Sequence, residues 1–273
     1  MLYGSADFVG GLASRRAPTL AVAFVSQFAG ALALLALLPL LPVATIVRGD
    51  VIWGAVAGLG GGTGVALLYR ALAIGTMSVV APTTAVCAVA IPVAVSMLLG
   101  ERPPAVSLAG IGIALLAIVL VSQSPAPAES VQNGTRGSRA LLIAVASGVA
   151  IGVFYLALAR TSHDAGLWPL LAARGASTLL FAAMALPSGP SMLRVPRHVL
   201  PMVVGCGLLD MTANALYLLA TRGGALSLIV TLASLYPAST VILARLVLHE
   251  RLSRVQIAGV CACLVAIALI VRG

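Results

Sequence analysis

Charge is the scarcest property of this chain. Only 8% of its 273 residues are charged, while 61% are hydrophobic and the mean hydropathy is +1.13. A water-soluble domain of this length needs far more charge to cover its surface. That excludes a soluble globule and requires a chain that shows apolar side chains to lipid. Lysine is absent, all 16 basic residues being arginine, which reads as compositional bias. Aromatics make up 4%, and no basic face carries them interleaved, so the net charge of +9 does not indicate nucleic acid. Arginines in short loops suit anionic lipid headgroups instead. The four cysteines, Cys87, Cys206, Cys261 and Cys263, all lie in apolar runs without a C-x-x-C pair and read as small hydrophobes. There is no G-x-S-x-G and no H-E-x-x-H, and His163, His198 and His249 are far apart. No catalytic residue, metal site or cofactor is expected.

Apolar runs fill the rest. Breaks at Arg, Pro, Gly and acidic clusters give ten candidate spans: 2–14, 20–41, 51–72, 77–99, 105–122, 140–159, 167–186, 199–220, 226–248 and 255–271. They are continuously apolar and rich in Ala and Leu, which argues for helices and against an alternating β-barrel pattern. The first run is short and begins almost at Met1, so a further stretch upstream is expected. A Pro-, Ser- and Gly-rich segment near the middle, 124–139, reads as an aqueous linker.

The linker divides two similar halves, residues 1–123 and 140–273. A shift of 149 lays Gly75 on Gly224, Ser78 on Ser227, Glu101-Arg102 on Glu250-Arg251, Val106 on Val255 and Ala109-Gly110 on Ala258-Gly259. Five spans per half is an odd number, so the second half enters the membrane inverted. Inverted repeats are a transporter architecture with the substrate site at their interface. The loop arginines number about nine on one side against about five on the other, which places both termini outside by the positive-inside rule.

Three features resemble the EamA-type transporters of the drug/metabolite transporter superfamily. They are Tyr3-Gly-Ser-Ala-Asp-Phe8 in the first span, the Glu-Arg pairs after spans 4 and 9, and Tyr236-Pro237 thirteen residues before Glu250. In the first half the proline, Pro92, stands only nine residues before Glu101. The resemblance implies an all-α membrane protein of two inverted five-helix repeats, multi-pass in the cell (inner) membrane. It further implies a small-molecule substrate, transport by alternating access and both termini in the cytoplasm, against the arginine count. Efflux of a metabolite or drug, with protons as coupling ion, is the leading expectation. The alternatives are a membrane-embedded enzyme acting on lipid-linked substrates and a non-transporting scaffold. Substrate identity and oligomeric state are not legible.

A few polar residues stand inside the spans. A carboxylate at membrane depth is costly and marks a functional site by default. Asp210, Asn214 and Tyr217 share one helix face, and Thr212 lies off it. Asp7 has Tyr3 one turn before it and Gly10-Gly11 one turn after. If the first and eighth spans meet, these residues form a polar, aromatic binding site, with Asp210 protonated or paired part of the time. The competing reading is a structural interhelical hydrogen bond. Arg174 is a counter-ion to Asp210 or to an anionic substrate, or snorkels to the surface, and Gln27 lies at a similar depth. Glu101 and Glu250 read as surface pairs with the adjacent arginines, or as coupling groups. The Gly58–Gly64 run has no preceding strand, so it is not a phosphate loop. Gly54, Gly58 and Gly62, four apart, form a face for close helix packing.

Overall fold

The computed structural model describes residues 1–14, 16–40, 44–74, 77–121, 134–247 and 253–272. Helix dominates them: α1 (Leu2–Ser14), α2 (Thr19–Leu37), α3 (Arg48–Ile74), α4 (Met77–Leu98), α5 (Ala105–Val121), α6 (Gly134–Ala159), α7 (Trp168–Ala185), α8 (Leu200–Thr221), α9 (Leu226–Ala233), α10 (Tyr236–Val247) and α11 (Arg254–Arg272). Six of the described helices are long and apolar enough to cross a bilayer, and the apolar helices Thr83–Leu98 and Ala105–Val121 are shorter.

Two sequence expectations need correction. The ninth span is not continuous but breaks between Ala233 and Tyr236. Proline at 237 has no N–H to donate to the Ala233 carbonyl, so the helical ladder is interrupted and a new helix starts at Tyr236. The second difference is that α6 begins at Gly134, inside the segment read as linker. Arg136 and Arg139 are good helix formers, and they carry the helix beyond the apolar run.

Large apolar side chains point outward, among them Leu142, Leu179 and Val271, each more than 70% exposed. The interior is mostly Ala, Gly and Ser. That is the pattern of helices that meet through small residues and leave their bulk to lipid.

The chain forms two compact units, each drawing on both sequence halves. The first comprises residues 1–62 and 154–223. Here α3 packs on α7 through Gly54, Gly58 and Gly62: a Cβ on Gly54 would overlap the Pro169 carbonyl, one on Gly58 the Ala173 carbonyl, and one on Gly62 would come within 3.0 Å of Leu180. The expected glycine face is therefore a helix contact. The same device joins α8 to α2, where a Cβ on Gly207 would overlap the Ser26 carbonyl. Gly58 and Gly207 are 149 residues apart, the repeat offset. Ala13, Val22, Val199 and Val203 form a buried cluster of α1, α2 and the start of α8.

The second unit comprises residues 63–153 and 224–273. Its α5 and α11 run antiparallel. Gly110 meets Ile270 at 2.8 Å from its built Cβ, and Gly259 meets the Val121 side chain at the same distance. Both pairs obey the 149-residue offset, so each contact is the repeat mate of the other. Against α6, Ser147 Oγ donates to the Gly64 carbonyl at 2.7 Å and Thr84 Oγ1 to the Ala144 carbonyl at 3.1 Å.

Candidate functional site

The polar residues singled out in the spans converge within the first unit. Asp210 is the eleventh of 22 residues in α8, near mid-span. Its Oδ2 accepts a hydrogen bond from Arg174 Nη2 at 2.5 Å, an ion pair whose arginine is 6% exposed and whose aspartate is 31% exposed. Arg174 donates through Nη1 to Gln27 Oε1 of α2, and through Nε to Met211 Sδ at 3.4 Å. Ser177, one turn after Arg174, adds a 3.3 Å bond to Gln27 Oε1. Arg174 thus does not snorkel: every nitrogen of its guanidinium is engaged inside the helix bundle.

Asn214 is buried one turn beyond Asp210. Its Nδ2 donates to the Asp210 backbone carbonyl at 2.8 Å, and its Oδ1 accepts from Tyr3 Oη at 2.9 Å. Tyr217 Oη donates elsewhere, to the Tyr155 carbonyl at 3.2 Å, while the two rings lie 4.8 Å apart and Phe154 stands edge-on to Tyr155 at 5.4 Å. Thr212 is exposed and bonds its own helix at Leu208.

Asp7 is placed by register. In the antiparallel α1–α8 pair Tyr3 meets Asn214, and Gly10 meets Cys206, whose Sγ donates to the Ala6 carbonyl at 3.3 Å. Between those two levels, one turn from each, Asp7 stands opposite Asp210. Its side chain is exposed, and its electrostatic neighbour is Asp210, a like charge. Among the described residues no cation or hydrogen-bond donor meets its carboxylate.

Two further polar clusters lie at helix ends. Glu101 does not pair with Arg102. Its carboxylate accepts from the Ser227 N–H, at 3.1 Å for Oε1, and from the Ser227 hydroxyl. That supplies the N-terminal cap that Ala225, preceding α9, has no side-chain oxygen to provide. Glu250 and Arg251 lie outside the described residues. Asp50, in the first turn of α3, accepts from Ser162 N at 2.7 Å, Ser162 Oγ at 2.9 Å and Val47 N at 3.1 Å. Nearby Arg222 donates to the Gly166 and Ser162 carbonyls. Burial pulls the Arg222 guanidinium below its ordinary pKa, opposed by Asp50 and Asp164. Among the described residues no group of three His, Cys, Asp or Glu could hold a metal ion.

With this geometry in view, the EamA-like transporter family profile matches residues 1–123 and again 138–272, together nearly the whole chain. The chain belongs to the EamA-like transporter family. It is accordingly a multi-pass membrane protein with two EamA repeats. A crystal structure described only as that of a protein has the same fold, with a TM-score of 0.74 over 98% of this chain and 94% of that chain at 19% identity. No curated protein matches the chain. The EamA repeat offset maps Asp210 onto Gly61, which faces the Phe154 ring at 3.1 Å from its built Cβ. Only one of the two equivalent positions therefore carries the charge.

Sequence reasoning did not find Ser177, Tyr155 or the Asp50–Ser162 tie. Ser177 follows Arg174 by three residues, a signal open to use. Asp50 and Ser162 are 112 residues apart and nothing local links them.

Proposed function

We propose that this EamA-family protein is a secondary transporter of a small molecule, a metabolite or drug, moved outward across the cell (inner) membrane by alternating access and coupled to protons. The observation that carries the reading is the Arg174–Asp210 pair at the heart of apolar helices, with Asp210 still partly accessible. Such a pair is expensive at membrane depth. Closed on itself here, the pair would gain a second arrangement by opening toward a ligand, and a switching element requires that bistability. Asp210, Asn214, Tyr217, Asp7, Tyr3 and Arg174 form the binding and coupling group, with Gln27 holding the arginine. The reciprocal packing of α5 and α11 supports two inverted five-helix repeats, residues 1–123 and 140–273. The same interleaving of both halves in each unit suits a fold that rocks.

A membrane enzyme that works through a nucleophile would hold it against a base, and this cluster instead pairs a carboxylate with a guanidinium, which stays protonated and cannot accept a proton. Counterflow separates the readings. Purified protein is screened by thermal shift against a metabolite and drug collection, and the stabilising compound is loaded into proteoliposomes. Exchange of labelled compound above that of empty vesicles is expected; chemical conversion of the compound, or no exchange, would overturn the transporter reading.

A further inference from the structure

In the second unit one helix is broken and its repeat mate is not. The apolar run at 226–248 forms α9 and then α10, with Ser234 and Leu235 between them. At a helix end the last carbonyls lose their partners. The Leu235 N–H bonds the Leu232 carbonyl at 3.3 Å rather than that of Thr231, four residues back, and Pro237 has no N–H for Ala233. The Thr231 and Ala233 carbonyls thus lose their helical donors, and they stand at the negative end of the α9 dipole. A shift of 149 lays this stretch on α4, which runs unbroken from Met77 to Leu98.

Hydroxyls gather at the same place. Ser227, Thr231 and Ser234 stand at i, i+4 and i+7 on one face of α9, and none is more than 1% exposed. The Ser227 hydroxyl donates to Glu101, and Thr231 Oγ1 donates to the Ser227 carbonyl at 2.7 Å, so Thr231 spends its proton and keeps its lone pairs. Ser234 differs. Its Oγ is buried at the break and has no hydrogen-bond partner among the described residues. A buried hydroxyl in that condition is costly and calls for a ligand. In the first half the mates of Thr231, Ser234 and Pro237 are Pro82, Ala85 and Ala88. The helix break and the hydroxyl pair are therefore missing together from α4, which ties them to one purpose.

We infer that the α9–α10 break binds a sodium ion, held by the hydroxyls of Ser234 and Thr231 and by the carbonyls released there, and that the ion fixes the junction of the two helices. All of these ligands are oxygens, the donors a hard cation takes. All are also neutral. A divalent ion would bring twice the charge to a site that offers no carboxylate among the described residues, since Glu101 stands two turns away at the other end of α9 and is bound to Ser227. An anion is excluded by the dipole end and the carbonyls. Carbonyls freed where a membrane helix is interrupted are a recurrent way of coordinating such an ion.

The test uses the full chain in detergent, dialysed into choline chloride and titrated with sodium, potassium or calcium chloride at constant ionic strength. Sodium should raise the melting temperature saturably, by about 2–4 °C, and slow hydrogen exchange roughly fivefold at the amides of residues 230–240. Potassium and calcium should do neither. Ser234→Ala should lose the sodium response yet melt no lower than the wild type in choline, because it deletes an orphan hydroxyl. Thr231→Val should lose the response and Thr231→Ser keep it. Potassium or calcium acting as well as sodium, a sodium response that survives in Ser234→Ala, or exchange protection that falls outside the break would each overturn the assignment. So would no response to any salt, which would leave a buried water as the partner of Ser234. If a variant fails to fold, the exchange pattern of the wild type decides alone. No transported compound enters the experiment, so its failure leaves the transporter reading untouched.

Discussion

Arg174 shows how a single residue can be both liability and switch. Alone in the bundle its charge would cost several kcal/mol, and the bonds to Asp210 and Gln27 make it tolerable. Removing one partner is therefore worse than removing both. Asp210→Asn should lower stability by roughly 2–4 kcal/mol, somewhat under the range for a fully buried pair because Asp210 is 31% exposed. Arg174→Gln combined with Asp210→Asn should recover most of that loss, which a double-mutant cycle on thermal melts reads directly. Additive losses would mean that the two side chains do not act as a pair. At this scale the sequence was informative about which residues matter. Asp7 and Asp210 stand out as acids in apolar runs, and the face shared by Asp210 and Asn214 follows from helical periodicity. It did not reveal that Tyr217 bonds the Tyr155 carbonyl, or that Asp7 lacks a partner, since both depend on how separate helices pack.

Between helices, small residues set the geometry. The close approach of α3 to α7 leaves no room at Gly58, where even one methyl would overlap the Ala173 carbonyl. Gly58→Leu must push the helices apart and is expected to cost about 3 kcal/mol or more, beyond ordinary overpacking because the obstacle is backbone. Low yield of monodisperse protein checks it, and a well-expressed, fully stable Gly58→Leu protein would contradict it. The cap that Glu101 gives α9 is a second test. Glu101→Ala should destabilise by about 1–2 kcal/mol and speed hydrogen exchange at the first amides of α9. Ser227→Ala made in that background should add little. Fully additive losses would show that Glu101 acts somewhere other than Ser227. The spacing of Gly54, Gly58 and Gly62 announced a packing face, but not that α7 would cover it. Likewise Pro237 signals the helix break, but the apolar run continues on both sides and reads as one span. Glu101 beside Arg102 looked like a local pair, yet a helix N-terminus 126 residues away holds its carboxylate more firmly.

Over the whole molecule, composition and repeat carried the reading furthest. Scarce charge requires a membrane, and the 149-residue offset reappears in space as the Gly110–Ile270 and Gly259–Val121 contacts. What the offset does not convey is that each compact unit combines parts of both halves, or that the polar site occupies one member of an equivalent pair, with Gly61 at the other. Substrate class was silent in the sequence because it depends on which charges are accessible, a property of packing. The proposal that joins these scales is transport driven by protons through the Asp7–Asp210 level of the first unit. Its most direct test is uptake of the compound selected by thermal shift into proteoliposomes made acidic inside. The expected result is accumulation that depends on the pH gradient, collapses with a protonophore and disappears in Asp7→Asn protein of unchanged melting temperature. Uptake that is the same with and without the gradient, or undiminished in Asp7→Asn, would contradict it.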